Sequence, residues 1–213
     1  NCKKAGRLLG PLQAGPYVAV DISVDFVRQA LDSLQRQHPG LAIAGLGTDF
    51  SGGLALPDTL GLDPAQPRVL FYPGSSIGNF TPDQALGFLQ SLHRACGTAP
   101  GSGLLIGVDL LKDAAELEAA YDDALGVTAA FDLNLLLHIN RLVGSNFAVR
   151  DWRHLSRFNA QASRVEMHLQ ARHAVRVQWP GGERLFAAGE TIHTENACKW
   201  TVPTFEALLL SAG

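Results

Sequence analysis

The sequence predicts an α/β fold: a doubly wound, mainly parallel sheet followed by a smaller antiparallel region. Short apolar runs alternate with helical periodicity as far as about residue 142. Those runs lack a polar alternation, as strands buried on both faces do. After about Ser145 the period changes to two, the mark of strands with one wet face.

Tyr17 to Ser23, YVAVDIS, reads as the first strand and carries an acid at its end, Asp21. Residues 24–38 have helical apolar spacing at Val24, Val27, Leu31 and Leu34. LAIAGLGTDF, Leu41 to Phe50, is a second strand with its exit loop, and RVLFYPGS from Arg68 is a third. Thr81 is a good N-cap and Pro82 suits the first helical position, so a helix runs from there to about Ala95. GSGLLIGVDLL, from Gly101, is a turn and a fourth strand. Residues 113–142 are helical, with a break near Gly126. Strands alternating with helices imply parallel crossovers. RVEMHLQARHAVRVQW alternates with period two, and a Pro-Gly-Gly turn and GGERLF close a hairpin. VPTFEALLLSAG is a final helix. The expected division is residues 1–144 and 145–213.

Composition narrows the function. Hydrophobic content of 46% with 17% charged residues is globular. A net charge of −3 with scattered Lys and Arg excludes a nucleic-acid surface, which needs a basic face. No apolar run reaches the ~20 residues of a membrane helix. Cys2, Cys96 and Cys198 are odd in number and far apart, which suits neither a disulfide framework nor a metal motif and points to a reducing cytoplasm. Met167 is the only methionine, and the chain opens inside what reads as a helix. A fragment lacking both ends is expected.

Ligands of open parallel sheets sit at the carboxyl ends of the strands. Here those ends carry Asp21, Asp49 with Phe50, the Gly74–Asn79 turn, and Asp109. A carboxylate such as Asp21 accepts from both hydroxyls of a ribose. Asp49 with Phe50 suits an adenine, one accepting from its amine and the other covering its ring. The alternative is that both acids cap turns. The small residues of the turn let backbone approach a ligand closely. Asn79 offers a donor and an acceptor, or stabilises its own loop. Asp122 and Asp123 point apart on a helix and make no metal site. Glu190, His193, Glu195 and Lys199 crowd ETIHTENACKW, and on a strand His193 and Glu195 share a face.

Five stretches, FYPGSSIGNFTP, GVDLLKD, AAYDDALGVTAAFDLNLL, RVEMHLQAR and GETIHTENACKW, together resemble the histidine Nα-methyltransferases of ergothioneine biosynthesis. The resemblance implies a Rossmann-like class I methyltransferase sheet with an antiparallel substrate-binding part. It implies S-adenosylmethionine as cofactor, L-histidine as substrate, and trimethylation of the α-amino group to hercynine by a cytoplasmic monomer. Carried across by position, Lys4, Asp21, Asp49, Phe50 and Gly74 would bind the cofactor, with Lys3 an alternative to Lys4. Asn79 and Tyr121 would hold the amino and carboxylate groups, and so act as the catalytic pair. Glu195 would accept from the imidazole N–H. Phe131, Met167, Asn196 and Ala197 would line the pocket. Family members carry a serine at the position of Ala197, so one hydroxyl is missing here. That departure keeps open a different amino acid as substrate, or a silent binding module. No His or Tyr-Lys arrangement suits a nicotinamide dehydrogenase.

Overall fold

The computed structural model describes residues 2–213. It divides into two compact units that interleave along the chain. Residues 2–74, 82–107 and 206–213 form the first, and residues 75–81 and 108–205 the second.

The first unit holds α1 (Lys3–Leu9), β1 (Tyr17–Asp21), α2 (Val24–Gln37), β2 (Ile43–Gly47), β3 (Val69–Tyr72), α3 (Pro82–Cys96) and β4 (Gly103–Ile106). β1 runs parallel to β2, and β3 runs parallel to β4. α2 is the crossover of the first pair and buries Val27 and Leu34, two turns apart. It lies so close to β2 that side chains there have no room. A Cβ on Gly45 would sit 2.8 Å from Val27 Cγ1, and one on Gly47 would sit 2.5 Å from Val24 Cγ2. α3 buries Ala85, Phe88, Leu89 and Leu92 along one stripe.

One open sheet was expected of these strands. The hydrogen-bonded ladders instead form two separate parallel pairs among the described residues. Each strand has only four or five residues and one bonded neighbour. The fourth strand is also shorter than the apolar run GLLIGVDLL suggests. It stops at Ile106, and Leu110 instead bridges to Trp200.

The second unit holds α4 (Ala114–Tyr121), α5 (Val127–Val143), β5 (Trp152–Asn159), β6 (Arg164–Ala171), β7 (Val175–Trp179), β8 (Gly182–Phe186) and β9 (Thr191–Cys198). α6 (Val202–Ala212) follows and runs on into the first unit. β5, β6 and β9 form an antiparallel sheet in that order, and β7 and β8 form a hairpin. The helical break has a plain cause. The Asp123 carboxylate accepts from the backbone N–H of Val127 (3.0 Å) and Thr128 (2.8 Å), so it caps α5. Those bonds, Thr128 foremost, pull its pKa down to about 2.

The period-two stretch 164–179 is two strands, in two different sheets. Ala171 N donates to Glu190 O and Arg172 N to Asp151 O, which ends β6 before β7 begins. β5 has no clear signal in the sequence, because WRHLSRFN mixes both residue classes on both faces. One face of β5–β6–β9 packs on α4 and α5. Leu136, Trp152, Leu169, Val177 and Phe186 make its core. Trp152 meets Phe186 edge-on at 5.0 Å and Phe147 at 5.6 Å, which clamps the β7–β8 hairpin to the sheet. No described helix is long and apolar enough to cross a membrane.

Leu169 is 1% exposed at the centre of this core. Leu169→Ala leaves a cavity there and is expected to cost about 2–5 kcal/mol, read from the urea midpoint. A change under about 0.5 kcal/mol, the scale of a surface substitution, contradicts this placement.

Candidate active site

In the first unit, the expected cofactor acids stand at the carboxyl ends of the parallel pair β1–β2. Asp21 is the last residue of β1 and is exposed; its Oδ1 accepts from Ser23 N at 2.9 Å. Asp49 follows β2, and its Oδ1 accepts from Ser51 N at 2.9 Å. Hydrogen bonds from Ser51, the backbone one foremost, hold the Asp49 carboxyl below its ordinary range. Each acid thus uses Oδ1 to shape its own turn. Phe50 packs edge-on to Tyr72 at 6.1 Å and against Phe88 at 5.9 Å, so the ring is already part of an aromatic cluster. Lys4 is exposed on α1. The Lys3 side chain lies outside the described residues. Gly74 has φ +88°, a conformation that favours glycine.

The second unit gathers most of the expected substrate residues around β9. Its backbone carries a β-bulge. Glu195 pairs with Met167 and His193 with His168, so Thr194 is the extra residue. Thr194 Oγ1 donates to Met167 O at 2.9 Å and holds the bulge. This corrects the expectation that His193 and Glu195 share a face. Consecutive residues Met167 and His168 point to opposite faces, and their partners on β9 follow them. His193 stacks on His168 at 4.8 Å on the outer face, while Glu195 lies on the face of Met167. Asn196, paired with Glu166, also falls on the outer face, away from Glu195.

Along the inner face Glu195, Ala197 and Lys199 follow at every second position. Asn79 comes to Glu195 from the short 3-10 turn Ser76–Asn79, its Nδ2 donating to Glu195 Oε1 at 2.9 Å. The turn reaches β9 because Gly78 has no side chain; a Cβ there would sit 3.0 Å from Cys198 O. With Nδ2 committed to Glu195, Oδ1 is the amide's remaining acceptor. Burial, reinforced by the Asp132 charge, pushes the Glu195 carboxyl up from its usual range.

At the other end of this row Lys199 Nζ donates to Tyr121 Oη at 2.7 Å and pairs with Asp109 Oδ2 at 3.1 Å. An ammonium can only donate. The phenol oxygen therefore accepts, and the Tyr121 O–H points its own hydrogen elsewhere. Asp109 is held by Lys112 at 2.6 Å, and its backbone N–H donates to Ser75 Oγ at 2.7 Å. Burial alone would raise the Asp109 carboxyl, but the Lys112 and Lys199 bonds outweigh it and keep it low. Ala197 lies between the two polar pairs, packed with Leu117 and Val165 and flanked by Tyr121 and Phe158. Met167 is buried beside Glu195. Phe131 does not join them, being 62% exposed on α5.

Two parts of this site escape sequence reasoning. Lys199 is visible in the motif, but nothing there shows that it is 3% exposed and bonded to Tyr121. The pair His154–Asp132 has no sequence signal at all. His154 Nδ1 meets Asp132 Oδ2 at 2.7 Å, and His154 Nε2 donates to the Tyr121 carbonyl at 2.7 Å. Both side chains are 2% exposed. This bridge fixes the end of α4 and hence the Tyr121 side chain.

The raised Glu195 carboxyl gives a pH signature. The folded state holds this proton more tightly than the unfolded chain, so stability falls as pH rises from the ordinary carboxylate range through the raised value. Glu195→Gln removes that fall. The variant is expected to have a higher Tm than the native protein at pH 7.5 and an equal one near pH 4. A lower Tm at pH 7.5 contradicts the assignment.

All of residues 1–213 match the family described as histidine-specific methyltransferase, SAM-dependent. The chain is 37% identical to the histidine N-alpha-methyltransferase of Mycolicibacterium smegmatis over 92% of its own length and 60% of that protein's. It is 32% identical to ergothioneine biosynthesis protein 1 of Neurospora crassa over 72% of its length and 18% of that protein's. It is 26% identical to the N-methyltransferase fsqC of Aspergillus fumigatus over 100% of its length and 58% of that protein's. The chain thus spans about three-fifths of the length of the first of these relatives. It belongs to the family of histidine-specific, S-adenosylmethionine-dependent methyltransferases.

Proposed function

We propose that the protein transfers methyl groups from S-adenosylmethionine to the α-amino group of L-histidine, three in succession, as a step of ergothioneine biosynthesis. The observation that carries this reading is the polar row on one face of β9. Asn79–Glu195 stands at one end and Tyr121–Lys199 at the other, with Ala197 between. Such a row offers acceptors for an amino acid's nitrogens at one end and a donor for its carboxylate at the other.

The sulfonium of the cofactor supplies a methyl group already activated for transfer. The residues need only bind and orient the amine. The α-amine of a free amino acid lies above the ~8 of a chain terminus, because its own carboxylate favours the ammonium, so it gives a proton to solvent before it attacks. Asn79 Oδ1 accepts from the amine and aims its lone pair. The Tyr121 O–H, its oxygen engaged by Lys199, donates to the carboxylate. Glu195 accepts the imidazole N–H. Asn79 Nδ2 and Glu195 Oε1 bond each other directly, and the substrate uses the other atom of each side chain, Asn79 Oδ1 and Glu195 Oε2. Orientation supplies most of the rate. On the first unit, Asp21 takes the cofactor's ribose and Asp49 its adenine, with Phe50 against the ring and Lys4 and Gly74 as further contacts. We read the parallel pairs β1–β2 and β3–β4 as parts of a Rossmann-like class I sheet.

Ala197 favours a second reading. Its methyl group stands where a hydroxyl would help hold an imidazole, and N-methyltransferases that are not named for histidine are among the relatives. The substrate would then be another amino acid, with the same cofactor and the same amine chemistry.

Asn79→Ala in the full-length protein is expected to lower kcat at least tenfold while S-adenosylhomocysteine affinity stays within about twofold. Native turnover in that variant removes Asn79 from the reaction. Thermal protection by S-adenosylhomocysteine and not by NAD is expected; protection by NAD alone overturns the cofactor assignment.

A further inference from the structure

Ser156 lies on β5 and is 8% exposed, yet its Oγ has no hydrogen-bond partner among the described residues. A buried hydroxyl without a partner is costly, so its presence asks for a reason. The strand register supplies one. Ser156 pairs with Met167 on β6, and Met167 pairs with Glu195 on β9. Directly paired residues of antiparallel strands present side chains to the same face. Ser156, Met167 and Glu195 therefore form one row across the sheet, on the side packed against α4 and α5. The neighbours of Ser156 on that face are His154, which bonds the Tyr121 carbonyl, and Phe158, which packs beside Ala197.

We propose that Ser156 is a specificity-determining residue that takes the second nitrogen of the substrate's imidazole. This rests on the reading of Glu195 as the partner of the first. The chemistry of the row is complementary to that ring. A neutral imidazole has one N–H, which donates, and one bare nitrogen, which accepts. Glu195 as a carboxylate can only accept, and the Ser156 hydroxyl is free to donate. The backbones of β5 and β9 lie about 10 Å apart, two strand spacings. That separation matches the span of a five-membered ring with a hydrogen bond at either end. The Met167 side chain between them forms the apolar floor under the ring. In this arrangement the hydroxyl comes from β5, and Ala197, one row along β9, supplies none. Glu195 as an acceptor selects the tautomer with its hydrogen on the nearer nitrogen, and the Ser156 hydroxyl then donates to the bare one.

The test compares L-histidine with thienylalanine, which keeps a five-membered ring and has neither nitrogen. The full-length protein and Ser156→Ala are assayed with both. The native protein is expected to favour histidine strongly. In Ser156→Ala the KM for histidine should rise about tenfold, the size of one well-placed hydrogen bond, with a smaller change in kcat. The KM for thienylalanine should not rise, so discrimination narrows. Ser156→Cys, close in shape and a poor donor, should show the same loss. Ser156→Thr, which keeps the hydroxyl, should stay near native. S-adenosylhomocysteine protection in thermal unfolding checks that each variant is folded. A native protein that methylates histidine, with an unchanged histidine-to-thienylalanine ratio in Ser156→Ala and Ser156→Cys, overturns the role of Ser156 alone. A native protein that does not take histidine overturns the reading beneath it.

Discussion

The extra residue in β9 decides which side chains face the inside of the sheet. A strand has a strict two-residue period, so one inserted residue turns everything beyond it to the other face. Thr194 is that residue, pinned by its hydroxyl to the Met167 carbonyl. Without it, His193 and Glu195 would project together. With it, His193 leaves to stack on His168, and Glu195 turns inward beside Met167. The positions of Asn79, Ala197, Lys199 and Ser156 acquire meaning only relative to that inward carboxylate.

The site sets polar groups in an apolar bed and holds them with other polar groups. Glu195 is partly desolvated, and its carboxyl rises in consequence. Lys199 is almost wholly buried and is tolerable there because Asp109 and the Tyr121 oxygen both meet it. His154 and Asp132 form a second buried pair whose outer bond goes to the Tyr121 backbone. Tyr121 is thereby held twice, through its carbonyl and through its hydroxyl. A side chain so fixed loses little entropy when it binds a ligand, which is the benefit of preorganisation.

Much of the fold was legible, because it rests on local patterns. Val24, Val27, Leu31 and Leu34 announce α2, and Thr81-Pro82 announces the start of α3 to the residue. The break before α5 sits where Gly126 marks it, with Asp123 as its cap. What the sequence hid is non-local. β5 was obscured because Trp152, His154 and Ser156 alternate with Arg153 and Leu155 and give no clean period. The bulge at Thr194 has no compositional mark, and it reversed the expected partnership of His193 and Glu195. Of the expected site, Asn79 with Glu195 and Tyr121 with Ala197 come together, whereas Phe131 is exposed and Asn196 faces outward. His154–Asp132 was out of reach because the pair joins residues 22 apart on a helix and a strand.

The central claim is that the inner face of β9 holds an imidazole-bearing amino acid by its amine. It is tested most directly by incubating the full-length protein with S-adenosylmethionine and an equal mixture of the twenty amino acids, then following masses. The account predicts that histidine alone gains methyl groups and ends with three. Methylation of a different amino acid with histidine untouched, or of none, contradicts it.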